Sequence, residues 1–346
     1  MKVALITDTH FGVRNDSQQF HNNNEKFFHN LFFPYLKENN ITKLLHLGDI
    51  VDRRKYINFS TAKRLREDFL DPLLINDIET HIILGNHDVY YKNTNEINAI
   101  EEIIDGRYSN FNIYYQPTEI EIDNTKILML PWICEQNKDL TNKMVRDTKA
   151  QICMGHLELS GFHLFKGSML SDGDSPETYS KFDMVMSGHY HHRSQSKNVY
   201  YLGSHAEFTW VDYNDPKGFH IFDTSTKELE FIKNPYTMYN KIYYDGNTSV
   251  SEEDCKDKIL RIVVKNKTDT YDFDKFISEV ESYSPVDYQV VEDFFEYQDI
   301  LDEVDDTEST IDIFKKYIQK SETKDIDKQK LEKAIVDLYH EALEIE

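Results

Sequence analysis

Cysteine is scarce: Cys134, Cys153 and Cys255 are the only three in 346 residues. Scattered as they are, they make neither a disulfide framework nor a CxxC metal clip. Glycine (12) and proline (8) are also few, and no Gly/Ser-rich or Pro-rich tract marks a linker of those compositions. No apolar run approaches the roughly 18 residues of a membrane span. Ahead of Asp8 the chain offers only Val3 to Ile6 as an apolar run, too short for a signal peptide. A cytoplasmic protein with no membrane association is therefore expected. Basic charge is short as well, with 39 Lys+Arg against 62 Asp+Glu and a formal net charge of -23. That excludes holding nucleic acid by bulk basic charge, because phosphate affinity comes from Lys and Arg displacing counterions. What is present suffices for a core: 39% hydrophobic and 13% aromatic residues. The length predicts two or three units.

The acidity is unevenly spread. Residues 245–346 hold 29 acidic and 13 basic side chains, a net of -16 out of the total of -23. A boundary near Asp245-Gly246-Asn247 is expected. From Glu292 to Asp306 eight acids occur with no base, which reads as a solvated linker or a surface for a basic partner. The expected organisation is residues 1–244, a smaller unit over 245–300, and an acidic linker with a helix pair over 301–346.

Short apolar runs predict strands at Val3–Thr7, Lys43–Leu47, His81–Leu84, Lys126–Leu130, Gln151–Met154, Met184–Ser187 and Val199–Leu202. Helical spacing of Phe27, Phe28, Leu31, Phe32, Tyr35 and Leu36 predicts a helix that Pro34 should kink. Ala62–Leu74 predicts a second. The alternation gives an α/β layered sheet. A smaller β-α-β pattern follows, with strands at Ile259–Val264 and Tyr288–Val291 and a helix around Phe273–Val280. Two amphipathic helices come last, one with Ile311, Phe314 and Ile318, the other with Leu331, Ile335, Leu338, Tyr339, Ala342 and Leu343.

Chemistry concentrates where these runs end. Gly48-Asp49, Gly85-Asn86-His87-Asp88, Gly155-His156 and Gly188-His189-Tyr190-His191 each close an apolar run, and Asp8-Thr9-His10 closes the first. Glycine there lets the chain turn so that the next side chain points into a cleft at the strand ends. In Asp8-x-His10 and His189-x-His191, the spacing on an extended backbone puts both side chains on one face, able to reach a common centre. Carboxylates, imidazoles and one amide oxygen without thiolate suit manganese or iron, with zinc as an alternative, and argue against a structural zinc knuckle. Seven candidate ligands exceed the needs of one ion. Two ions bridged by a carboxylate, roughly 3.5–4 Å apart and activating a water toward phosphorus, fit better.

This ordered set of Asp-x-His, Gly-Asp-x-x-Asp, Gly-Asn-His-Asp, Gly-His and Gly-His-x-His resembles the signature of the calcineurin-like metallophosphoesterases. Thr7-Asp8-Thr9-His10-Phe11-Gly12 looks like the SbcD-type nuclease subunits of double-strand-break repair complexes. Leu130-Pro131-Trp132-Ile133-Cys134-Glu135, Gly155-His156-x-Glu158-Leu159-x-Gly161-Phe162 and Asn214-Asp215-Pro216-x-Gly218-Phe219 are most similar to the recombination endonuclease subunits of T-even-type phages. The resemblance covers roughly the first 225 residues by motif and the remainder by layout. It implies a metallophosphoesterase sheet sandwich flanked by helices, with a β-α-β capping domain. One metal is implied at Asp8, His10, Asp49 and His191, and a second at Asp49, Asn86, His156 and His189. It also implies that His87 is a general acid or transition-state stabiliser and that Asp52 orients it, the alternative for Asp52 being a cap on the following helix. Manganese is the expected ion, with magnesium or iron as alternatives.

Basic residues cluster near the motifs. Arg14, Arg53, Arg54, Lys55 and Lys92 are expected to contact DNA phosphates without sequence specificity. The resemblance further implies a coiled-coil ATPase of SbcC type as the partner of the C-terminal helices. It also implies a homodimer, with candidate contacts between Asp16 and Asn39. The function expected is a manganese-dependent DNA exonuclease/endonuclease of a recombination or repair complex. The alternatives are a protein phosphatase or small-molecule phosphodiesterase, and a non-catalytic scaffold for the ATPase.

Overall fold

The computed structural model describes residues 1–104, 106–165, 168–169, 173–267, 269–291 and the isolated positions 318, 330 and 331. The acidic stretch from Glu292 to Asp306 and the body of the two C-terminal helices lie outside the described residues.

Two six-stranded sheets form the centre. In the first, the strands Lys2–Ile6, Lys43–His46, Glu79–Ile83 and Phe111–Tyr114 run parallel, and Gly218–Asp223 and Leu229–Lys233 extend it antiparallel beyond Lys2–Ile6. In the second, Val199–Tyr201, Met184–Gly188, Ile152–His156 and Thr125–Leu130 run parallel, with Ser194–Ser196 and Thr118–Ile122 antiparallel at the edges.

The strand sequences explain the stacking. Val3 and Leu5 face one cluster with Leu45, Ile127, Met129, Ile152, Met154, Met184 and Met186, which fills the space between the sheets. Ala4 and Ile6 face the opposite side, where Phe27, Phe28, Phe32, Phe69 and Leu73 cover the first sheet. Leu128, Leu130, Cys153 and Val185 point outward from the second sheet into a third cluster with Tyr190 and Tyr201. Both faces of these strands are buried, so their sequences are continuous apolar runs rather than alternating ones. The three cysteines are buried and free.

Pro34 does not break its helix. A helix over Gln18–Phe27 passes into a π-helical turn at Phe28–Phe32, and Pro34 then sits in the first turn of Phe33–Glu38. Pro72 is treated the same way, after Phe59–Leu65 and a π turn at Arg66–Leu70. A proline is tolerated in a first turn because its missing N–H has no intrahelical partner there. Each wide turn lets a new first turn begin without ending the helix.

The smaller unit is a three-stranded parallel sheet, Tyr239–Tyr244, Ile259–Val264 and Asp287–Val291, with the helix Thr270–Ser282 crossing between the last two strands. Its sheet begins at Tyr239, upstream of the charge shift at residue 245. Charge marks solvent-facing composition, whereas the strand is fixed by pairing with Ile259–Val264 and by burial of Tyr239, Ile242 and Tyr244. No helix among the described residues is long and apolar enough to cross a membrane.

Candidate metal centre

Every candidate ligand stands at or just beyond the C-terminal end of a parallel strand, the end where open α/β sheets present their ligand crevices. Asp8 and His10 follow Lys2–Ile6, Asp49 follows Lys43–His46, and Asn86 follows Glu79–Ile83. From the second sheet come His156, at the end of Ile152–His156, and His189 and His191, beyond Met184–Gly188. The two sheets therefore contribute to one crevice. Its backbone is tightly bent: Asp8 (φ 52), His10 (φ 41), Asp49 (φ 56) and His189 (φ 85) all lie in the left-handed region. Non-glycine residues adopt it at a cost of about 1–3 kcal/mol each, which the surroundings must offset.

Two glycines let the segments approach. Gly48 has φ 93, and a Cβ there would lie 2.6 Å from Nδ1 of His156. A Cβ on Gly85 would lie 2.1 Å from Oδ1 of Asp49. Asp88 ties the same loops together. Its buried carboxylate accepts main-chain N–H groups from Asp49 (2.8 Å), Ile50 (2.8 Å), Val51 (3.2 Å) and Gly85 (2.8 Å). Burial, and then the neighbouring Asp49 carboxylate, push its pKa up to about 7 against those four donors.

The ligand atoms fall into two groups. Asp8, His10 and His191 present atoms within 4.8 Å of one another, as do Asp49, His156 and His189. Asn86 Oδ1 joins the second group, 3.1 Å from His156 Nε2 and 3.0 Å from His189 Nδ1. Asp49 lies between the groups, its Oδ2 being 3.2 Å from His156 Nε2 and 3.8 Å from His10 Nε2. His189 and His191 are thus divided between the groups rather than sharing a centre.

These contacts fit divalent ions. His10 Nε2 and His191 Nε2 face each other at 3.1 Å. His156 Nδ1 donates to the carbonyl of Leu47 at 2.7 Å, so its Nε2 lone pair points at the oxygens of Asp49 and Asn86. Lone pairs that converge in this way need a proton or a cation between them. In the protein alone, burial opposes charge on His156 and His10. The carboxylates of Asp49 and Asp8 nonetheless raise His156 to about 9, and those of Asp52, Asp49 and Asp8 raise His10 likewise. Burial, with the positive neighbour His156 for His189 and His10 and Lys217 for His191, holds both well below the usual histidine range. The oxygen/nitrogen donor set without thiolate suits divalent ions such as manganese, iron or zinc.

His87 lies beside both groups. Its main-chain N–H donates to Asp49 Oδ1 at 2.8 Å, and its Nδ1 donates to the main-chain carbonyl of Asp52 at 2.6 Å. Asp52 therefore orients His87 through its backbone. Its carboxylate instead faces Nδ1 of His10 at 3.5 Å, the position of a group that orients a metal-ligating histidine.

The five basic residues differ in their surroundings. Arg53 is tied to Asp16 (2.8 Å) and Asn15 (2.6 Å) and lies over the Tyr56 ring. Arg14 is exposed and held in a left-handed turn. Arg54 is half-buried with an unpartnered Nη1. Lys55 and Lys92 are exposed. Sequence reasoning missed the cradle at Asp88 and the buried Lys217. Lys217 Nζ donates to the His191 carbonyl (2.7 Å), Asp215 (2.8 Å) and Asp212 (2.8 Å), and so fixes the His191 loop. The lysine sits inside the Asn214–Phe219 motif, a charged residue between apolar strands that only a buried ion network explains.

Residues 1–193 match the calcineurin-like phosphoesterase family. The chain belongs to that family. It is 35% identical to exonuclease subunit 1 of Enterobacteria phage T4 over 285 residues, covering 81% of each chain. It is also 27% identical to the SbcD component of the SbcCD nuclease of Staphylococcus epidermidis over 143 residues, 37% of this chain and 35% of that one. A solved dimetal phosphatase from Danio rerio aligns with a TM-score of 0.40 at 11% identity, covering 64% of this chain and 91% of that one. The fold is that of the family, which binds divalent metals, and the crevice between the two sheets holds the candidate ligand groups.

Proposed function

We propose that the protein is a manganese-dependent nuclease that hydrolyses DNA phosphodiester bonds as the nuclease subunit of a complex with a coiled-coil ATPase. The observation that carries the reading is the pair of ligand groups sharing Asp49, with His87 alongside. One ion would be held by Asp8, His10, Asp49 and His191, the other by Asp49, Asn86, His156 and His189. Ions bound there supply Lewis acidity toward the phosphate and activation of the attacking water. The chain's own residues do the rest. His87, held through Nδ1 by the Asp52 carbonyl, keeps Nε2 for the departing ester oxygen. In its doubly protonated form it donates that proton as the P–O bond breaks, and water supplies the new P–O bond. Similarity to an exonuclease subunit and to a component of an SbcCD nuclease supports DNA as the substrate and a partner subunit.

The partner would supply most of the grip on DNA. With a formal net charge of -23 and Arg53 tied to Asp16 and Asn15, the protein alone should bind long DNA weakly. The test offers purified protein linear duplex DNA and a phosphopeptide in manganese, with and without EDTA. Metal-dependent cleavage of DNA alone supports the reading. Dephosphorylation of the peptide alone would sink it.

A further inference from the structure

Beside the second ligand group the crevice continues into a cavity of about 580 Å³, lined by Trp132, Cys134, Glu135, Lys138, His156 and Asp174 among others. The indole of Trp132 lines it close to the second ligand group. Its ring centroid lies 5.4 Å from that of His189 and 6.2 Å from that of His156. The residue is rigidly placed. Its main-chain N–H donates to the Leu84 carbonyl at 2.7 Å, and its own carbonyl accepts from Asn95 and Asn137, each at 3.0 Å. Both asparagines are fully buried. Asn137 also accepts the N–H of Cys134 at 2.9 Å, which fixes the turn beyond the tryptophan.

We propose that Trp132 is a specificity-determining residue: its indole stacks on the nucleobase adjoining the scissile phosphate, in a pocket that admits a terminal nucleoside and disfavours a further phosphate. The proposal rests on the DNA-cleavage reading above. Three observations favour a nucleoside as the occupant. The cavity is walled by His156, so an occupant lies next to a phosphate held at the second ligand group. Among its described lining residues, Glu135, Glu158 and Asp174 outnumber Lys138, and such a rim repels a second phosphate. An indole face is a sequence-tolerant platform for any base. A strand end satisfies these conditions, because its last nucleoside brings no further phosphate.

The test is a coupling measurement. Oligonucleotides ending in a normal nucleotide, or in an abasic tetrahydrofuran unit at either end in turn, are digested in manganese by wild type, Trp132→Leu and Trp132→Phe. Stacking of this kind corresponds to roughly 5- to 150-fold, so wild type should cleave one abasic-ended strand slower by about that factor. Trp132→Leu should cleave both strands at the same slow rate, and Trp132→Phe should keep part of the ratio. Equal rates for wild type, or an undiminished ratio in Trp132→Leu, would overturn the proposal. Undiminished manganese binding by both variants shows that the site still folds. A second readout needs no turnover. In a Trp210→Phe background, thymidine 5′-monophosphate should quench Trp132 fluorescence, and deoxyribose 5-phosphate should not. Absence of that difference also overturns the pocket. Quenching without any cleavage of DNA by wild type would instead count against the nuclease reading.

Discussion

Two regions of this molecule are built from the same unit, a parallel sheet with helical crossovers, yet their interiors differ. Among the described residues every buried polar or charged side chain lies at or before Asn234, in the sandwich. The small sheet encloses Ile242, Tyr244, Leu260, Ile262, Phe273, Phe276 and Val280 in an apolar core. Its strands end without buried carboxylates or imidazoles, and no residue of its strands has a positive φ. The sandwich holds two carboxylates, Asp8 and Asp49, within one crevice and bends four ligand-bearing residues into the left-handed region. Buried charge without a partner is destabilising. Clustered buried charge is costly even when paired, so the sandwich carries a local cost that bound cations would relieve, and the small sheet carries none.

The sharpest way to break this contrast is at the site itself. His87→Ala should keep both metals, because His87 is in neither of the two proposed ligand sets, yet lose on the order of 10²–10⁴-fold in cleavage rate. Manganese titration together with single-turnover rates checks both halves. Loss of metal stoichiometry would show that His87 belongs to the ligand set.

An equally local change in the small sheet should do the opposite. Phe276 is buried and its ring centroid lies 4.7 Å from that of Tyr244. Phe276→Ala should destabilise by about 3–5 kcal/mol, the usual range for emptying an aromatic core site, with manganese affinity unchanged. Denaturation followed alongside metal titration tests this. A weakened metal site would mean that the two regions are coupled.

The third prediction concerns protons. His10 and His156 are raised to about 9 in the protein alone, but both must be neutral to bind a metal. Below that pH, binding therefore expels protons and affinity rises as pH increases toward 9. With one such histidine in each proposed site, the affinity for each ion rises by up to about 10-fold per pH unit. Calorimetry in buffers of different ionisation enthalpy should show proton release on manganese binding at pH 7.5. No release would show that the ligands are already neutral.

Much of this was legible in the sequence because buried strands write their length and both faces as apolar runs, and because a polar residue ending such a run has few other places to be. The convergence of Asp8, Asp49, Asn86 and His156 follows from that rule. The division of His189 from His191 does not: their i, i+2 spacing alone suggests a shared centre, and only the family resemblance implies their separation. Asp88 stood in a motif, but its four N–H donors include three from a loop distant in sequence. The strand Tyr239–Tyr244 was obscured by a boundary drawn from charge. The π turns before Pro34 and Pro72 were hidden as well, since helical periodicity does not report one extra residue per turn.

The smallest effect separates two histidines. Were the Asp52 carboxylate an orienter of His87, Asp52→Ala would mimic His87→Ala and no amount of metal would restore the rate. The structure gives His87 the Asp52 main-chain carbonyl, which alanine retains, and places the carboxylate 3.5 Å from His10 Nδ1. Removing it should leave His10 less firmly oriented and a weaker ligand. Changes of this kind lower metal affinity by about 10- to 100-fold. Asp52→Ala should accordingly be slow at limiting manganese and recover most of its rate at saturation. His87→Ala should stay slow at any concentration. A rate for Asp52→Ala that saturating manganese cannot restore would return the carboxylate to His87.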